Sequence, residues 1–124
     1  MLREETLTQE ILAAAIEVHR VLGPGLLELA YEHALCHELH LRNIAFQSQV
    51  DLEITYKGVA LGSTLRMDLL VRDTVIVEIK SAEHILPVHA AQLLTYLRLS
   101  GHAVGLLINF NVPVLRNGIV RRVL

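Results

Sequence analysis

The chain has 124 residues, 52% of them apolar and 19% charged, with a net charge of −2. That length suits one domain, spanning residues 1–124, with a sizeable core. Its apolar content excludes disorder, and its few Lys and Arg exclude capture of nucleic acid on a broad basic face. No apolar run approaches the ~20 residues that span a bilayer. The charged start does not read as a secretory signal, so a cytoplasmic protein with no membrane partner is expected.

Mean hydropathy is nonetheless +0.44. Large exposed apolar patches are rare on monomers, so the surplus predicts a homodimer. The single Cys36 cannot close an internal disulfide, which fits a reducing compartment.

Thr6 with Gln9 fits a capping box, and Ile11, Ala15, Val18 and Leu22 then recur at helical spacing. Gly23-Pro24-Gly25 ends that helix; its isolated glycines read as a turn rather than a phosphate loop. A second helix over residues 26–42 aligns Leu27, Tyr31, Ala34, Leu35 and Leu39, with His33, His37 and His40 opposite. The histidine spacing can bind Zn²⁺, but their side of the helix is polar, and a solvated face is expected. Glu28 leans toward the apolar stripe, where it can serve as a third acidic group, and Glu38 falls near the same stripe.

Two extended stretches follow, residues 50–56 and 59–71, with Lys57-Gly58 as the turn between them. A third covers residues 75–80 after the polar break at Arg72-Asp73-Thr74. Pro87 can open a helix at its first turn, and residues 88–100 have helical spacing up to Gly101. Residues 103–110 form a nearly continuous apolar run, the pattern of a strand buried on both faces. Residues 119–124 fit a final strand.

Chemistry concentrates in Val75-Ile-Val-Glu-Ile-Lys80. Alternation along a strand places Ile76, Glu78 and Lys80 on one face, and ionised groups in so apolar a strand are expensive unless paired or bound to metal. The preceding strand repeats the anomaly, with Arg66, Asp68 and Leu70 sharing a face. Parity decides whether the carboxylates meet. A two-residue hairpin loop separates them; a three-residue loop, Arg72-Asp73-Thr74, pairs Val71 with Val75 and Asp68 with Glu78, and that register is expected.

Two converging carboxylates suit a hard cation such as Mg²⁺ or Mn²⁺, which polarises a phosphoryl oxygen and acidifies a water. Lys80 then orients that water or offsets developing negative charge. The same residues are also compatible with a buried Glu–Lys pair without chemistry. On the next helix, Gln92 and Tyr96 stack four residues apart and can contact phosphate or base; His89 lies one turn earlier on nearly the same side.

Asp68 followed by Glu78-Ile79-Lys80 resembles the D…(D/E)XK signature of the PD-(D/E)XK nuclease superfamily. Gln92-Leu-Leu-Thr-Tyr96 resembles the QxxxY element of its RecB-like branch. Gly25-Leu-Leu-Glu-Leu-Ala-Tyr31 resembles the motif that names the GxxExxY family, and the likeness continues through Arg66-Met-Asp68, His89-Ala-Ala-Gln92 and Gly105-Leu-Leu-Ile-Asn-Phe110. Met67 stands where the superfamily places a proline. The resemblance implies an α/β, restriction-endonuclease-like αβββαβ core with a mixed β-sheet flanked by helices, and Mg²⁺-dependent phosphodiester hydrolysis of nucleic acid; it carries no particular substrate over, and DNA is expected separately. It implies metal binding by Asp68, Glu78 and the Ile79 carbonyl, with Glu28 as the acid of the first core helix. By the resemblance Lys80 becomes the catalytic lysine beside Asp68 and Glu78, and Gln92 and Tyr96 support the site and the substrate; Arg66 and His89 are further expected substrate contacts. A non-catalytic nucleic-acid-binding module and a dimeric interaction module within a larger nuclease or defence assembly are the alternatives on the same fold.

Overall fold

The computed structural model describes residues 4–124. Helix α1 (Glu5–Leu22) leads through the glycine turn to α2 (Glu28–Leu41). Three strands follow, β1 (Phe46–Tyr56), β2 (Val59–Val71) and β3 (Val75–Lys80). Helix α3 (Pro87–Ser100), β4 (Val104–Asn109), a 3₁₀ turn (Leu115–Gly118) and β5 (Ile119–Val123) complete the chain. The sheet has five strands in the order β1-β2-β3-β4-β5. Neighbours are antiparallel except β3 and β4, which are parallel and joined by the α3 crossover. This is the expected α/β architecture, a mixed sheet flanked by helices on both faces.

Side-chain parity divides the core into two layers. Val75, Val77 and Ile79 of β3 join Val104, Leu106 and Ile108 of β4 against Ile11, Ala15, Leu35 and Leu39 of α1 and α2. Ile76 and Leu107 face the other way, against Leu93, Tyr96 and Leu97 of α3. Both central strands are therefore apolar on both faces, as buried parallel strands must be. Where α3 crosses β4 there is no room for a side chain. A Cβ on Gly105 would sit 2.7 Å from the Leu93 Cδ1.

Three local expectations are corrected. Glu4, at φ 51°, precedes α1 without a side-chain cap, and Thr6 lies inside the first turn, so the Thr6–Gln9 capping box does not form. Leu27 stands outside α2 and is 82% exposed, whereas Tyr31, Leu35 and Leu39 carry the buried stripe. Strict alternation in β2 fails, because Met67 and Leu70 lie in the same α3-side cluster while Leu69 faces the other layer. The break falls at Asp68. Opposite it, between the paired residues Ser48 and Val50, Gln49 has φ 54°, an uncommon conformation for a non-glycine residue.

Tyr31 fixes how α2 enters the fold. Its hydroxyl donates to the Gly23 carbonyl at 2.5 Å and accepts from Leu26 N at 3.1 Å, closing the α1–α2 connection. Its ring stacks on Phe110 at 4.6 Å. Gly25, at φ 102°, supplies the backbone freedom that the connection requires. The first turn of α2 is thereby anchored to the ends of the central strands.

Gly118 is the tightest contact of this kind. A Cβ there would come within 2.2 Å of the Asn109 carbonyl oxygen, a backbone atom that cannot swing away. Gly118→Ala is expected to destabilise the fold by ~3 kcal/mol, at the upper end of overpacking effects. Gly105→Ala, which presses on a rotatable Leu93 side chain, should cost less. Urea denaturation of the two variants checks the order.

Candidate active site

The turn Arg72-Asp73-Thr74 sets the register of the site. Arg72 and Asp73 both adopt left-handed φ values, and Thr74 N donates to Val71 O at 3.0 Å. Val71 faces Val75, Leu70 faces Ile76 and Leu69 faces Val77. This is the three-residue-loop register expected from the sequence.

The backbone ladder stops there, and side chains take over. Glu78 Oε2 accepts a hydrogen bond from Asp68 N at 2.7 Å, and Asp68 Oδ2 accepts one from Ile79 N at 2.8 Å. Each carboxylate thus reaches across the gap to the other strand's backbone. The strands part around two acids instead of closing on each other.

A cleft of about 370 Å³ opens at this point, lined by Glu28, Leu29 and Glu32 of α2, Arg66 and Asp68 of β2, Glu78, Ile79 and Lys80 of β3, and Gln92 and Tyr96 of α3. Every predicted site residue except His89 borders it. The His89 Nδ1 accepts from Leu86 N at 3.0 Å at the start of α3, and His89 is not among the residues lining the cleft. Arg66 sits at the rim, its Nε 3.0 Å from Asp51 Oδ1 on the neighbouring strand. The solvated reading of His33, His37 and His40 agrees with their exposed positions. Glu38 pairs with Arg42 at 2.7 Å, away from the cleft.

Glu32 is the side chain that sequence reasoning missed. It is only 7% exposed, and both its carboxylate oxygens accept from Gln49 Nε2 at 2.8 Å. A signal was available, since Glu32 lies one turn after Glu28 and so on the same side of α2. Gln49 carried none, because its role depends on the irregularity opposite Asp68.

Electrostatics mark the cleft as short of positive charge. Burial, then repulsion from Asp68, pushes the Glu78 carboxyl up to about 8, against the partial relief of Asp68 N–H and Lys80. Burial also raises Asp68, with Glu32 and Glu28 adding to the rise and the Ile79 N–H and Lys80 opposing it. The Tyr96 hydroxyl is raised by burial and by both carboxylates, which places it in their field.

Among the described residues, no three His, Cys, Asp or Glu side chains form a ready-made metal cage. The donors nevertheless fit a hard cation that keeps several waters and takes one or two carboxylates. Asp68 and Glu78 are oxygen donors whose ionisation is opposed by burial and only partly relieved by Lys80 and backbone N–H groups. Ile79 adds a third oxygen. A strand residue's N–H and C=O point toward the same neighbour, and Ile79 N turns to Asp68 whereas Lys80 O accepts from Phe110 N on the β4 side. The Ile79 carbonyl therefore faces the opening between β2 and β3.

A sheet that parts around two carboxylates, with a lysine two residues beyond the second, is the arrangement that the D…(D/E)XK resemblance implies. Residues 5–123 match the family model of the PD-(D/E)XK nuclease superfamily, and the chain belongs to that superfamily. Among curated proteins nothing matches. Among solved structures, the crystal structure of SSO0001 is similar at 22% identity and a TM-score of 0.51. The alignment covers 96% of this chain and 58% of that one, so the present chain spans little more than half of its length. At that identity the likeness concerns the fold.

The raised Glu78 carboxyl has a consequence for the metal-free protein. Below about pH 4.5 both folded and unfolded states hold the proton; between there and about pH 8 only the folded state does, so stability falls as pH rises through this window. Glu78→Gln removes the titration and retains an acceptor for Asp68 N. Thermal melts in a chelator are expected to show a flatter pH profile for Glu78→Gln, and a higher melting temperature than wild type at the alkaline end. A wild-type profile that is flat over this window contradicts it.

Proposed function

We propose that this protein is a divalent-metal-dependent nuclease of the GxxExxY kind, within the RecB-like branch, that hydrolyses phosphodiester bonds in DNA. The observation that carries the reading is the pair of crossed hydrogen bonds at which Asp68 and Glu78 replace the β2–β3 ladder. Each acid spends one oxygen on these bonds and has a second oxygen left for a ligand, and both residues line the same cleft. With the Ile79 carbonyl they hold Mg²⁺ or Mn²⁺, and Glu28 and Glu32 contribute negative potential from α2. Bound there, the cation supplies polarisation of a phosphoryl oxygen and an acidified water.

Lys80 offsets the negative charge that grows on the phosphate during attack. Tyr96 and Gln92 line the α3 wall, where a phenol and an amide can donate to phosphate oxygens. Arg66 stands at the rim, where exchanging Asp51 for a backbone phosphate costs little, since exposed ion pairs are weak.

The test is cleavage of single- and double-stranded DNA and RNA by purified protein with Mg²⁺ or Mn²⁺. Asp68→Ala and Glu78→Ala are expected to reduce cleavage to background and to abolish metal-induced thermal stabilisation. Lys80→Ala should keep that stabilisation yet lose on the order of 100-fold in kcat. Salt-dependent binding that ignores metal, with no cleavage of any of these substrates, would overturn the reading in favour of a binding module.

We also propose a homodimer, supported by the exposed apolar side chains that cluster at the α1–α2 connection. Val21 is 63%, Leu22 40% and Leu27 82% exposed. Sedimentation equilibrium should find twice the 13.8 kDa chain mass. A monomer over a wide concentration range sinks this proposal.

A further inference from the structure

Lys80 has a reactive task and little to hold it. It is the last residue of β3, and among the described residues no hydrogen bond or ion pair fixes its ammonium. A lysine carries its charge on a flexible four-carbon stem. Its direction is then set by the backbone from which it springs, and that backbone lies where the strand ends and regular pairing stops.

Asn109 occupies the matching end of β4, directly paired with Lys80. It is a polar side chain only 2% exposed at the edge of an apolar core. Such a group is costly to bury unless its donors and acceptors are used. Asn109 uses them on the segment that leaves Lys80. Its Oδ1 accepts from Ala82 N at 3.0 Å, and its Nδ2 donates to Ala82 O at 2.9 Å. Both polar groups of one peptide residue are thus clasped by one side-chain amide. The same Oδ1 accepts from Asn111 N at 3.2 Å, which fixes the amide's own orientation. Next to the clasp, Phe110 N donates to Lys80 O at 3.0 Å.

The segment is held from a second direction as well. Ser81 Oγ donates to Leu26 O at 2.5 Å, tying it to the entry of α2 beside Glu28. Ser81 is partly solvent-exposed, whereas Asn109 is buried. A strand end followed by a loop would ordinarily fray; here residues 80–82 continue as a clamped extension of β3.

We propose that Asn109 is a positioning residue that directs Lys80 into the cleft by clasping Ala82, two residues past the lysine. The inference rests on the nuclease reading for the task of Lys80, but the clasp acts on geometry alone. Removing it leaves Asp68, Glu78 and their crossed bonds in place. Metal affinity is therefore preserved while the lysine loses its direction. A loss of alignment of this size at a reacting centre is worth ~10–100-fold in rate.

Two measurements on folded, full-length protein test this. In the first, DNA cleavage with Mn²⁺ is compared for wild type and Asn109→Ala. The expected result is a kcat reduced ~10–100-fold with KM within about twofold, and an unchanged Mn²⁺-induced shift in melting temperature. In the second, the two lysines, Lys57 and Lys80, are ¹³C-dimethylated, which preserves their charge. Their methyl signals are then followed as Mn²⁺ is added. Paramagnetic broadening falls steeply with distance, so Lys80 should broaden in wild type and much less in Asn109→Ala. Lys57, in the β1–β2 turn, is the reference.

Should Asn109→Ala unfold, Asn109→Ser carries the same test, since its hydroxyl retains one acceptor at the site. Equal broadening of Lys80 in wild type and a folded variant overturns the proposal, and so does a variant that cleaves at the wild-type rate. If wild type never cleaves, the nuclease reading falls. The broadening comparison, which needs no turnover, then decides the clasp separately.

Discussion

Everything in the site depends on two carboxylates that finish a sheet. β2 and β3 pair normally from their shared turn as far as Leu69 and Val77. One residue further, continued backbone pairing would bury this end of β3 as ordinary core. Asp68 and Glu78 prevent this by accepting hydrogen bonds from the opposite strand's N–H groups. The backbone donors are satisfied, as buried donors must be, yet the strands are free to separate. The same bonds that satisfy the fold also orient the acids.

The arrangement is held against its own electrostatics. Burial and mutual repulsion both oppose ionisation of Glu78, and Glu32 and Glu28 add to the negative field on Asp68. Among the described residues, Lys80 and the two backbone donors counter it. On the proposed reading, a cation bound there would displace the proton from Glu78, so that metal binding and proton release would be coupled. The local destabilisation is tolerated because the two flanking layers are densely apolar, with both central strands buried on each face. Functional sites commonly carry this kind of strain, supported by the scaffold around them.

The scaffold also explains why residues distant from the chemistry matter. Tyr31, the aromatic end of the Gly25–Glu28–Tyr31 motif, lines no part of the cleft. It ties Gly23 to Leu26 and stacks on Phe110, which lies next to Asn109. The entry of α2, the end of β3 and the end of β4 therefore meet in one small cluster. Glu28 and Lys80 both project from it, and their relative placement follows from packing rather than from direct contact.

Much of this was legible in the chain. Val75-Ile-Val-Glu-Ile-Lys80 announces a buried strand with two ionisable intruders, because alternation and desolvation are local properties. The loop Arg72-Asp73-Thr74 carried the register, since loop length fixes hairpin parity. Residues 104–109 showed their burial by being apolar almost without a break. Helix and strand identities followed from spacing, but ends moved: at Thr6 and Leu27, where a cap or a turn depends on backbone angles, and at β1, which starts at Phe46 rather than at residue 50. What the sequence could not contain was decided by contacts between distant segments. The break in alternation at Asp68 lies opposite the left-handed Gln49 across the sheet, and no periodicity in β2 encodes it. Glu32 reads as an ordinary helix glutamate until α2 is laid against that irregularity. His89 shares a helix face with Gln92 and Tyr96 but is turned to its own N-terminus by the Leu86 N–H. Asn109 looks like the polar end of an apolar strand until the loop after β3 folds back onto it. Sequence by itself determined which residues must be buried and which charges are out of place there; tertiary structure alone decided which of those charges face one another, because that depends on backbone geometry summed over residues far apart in the chain.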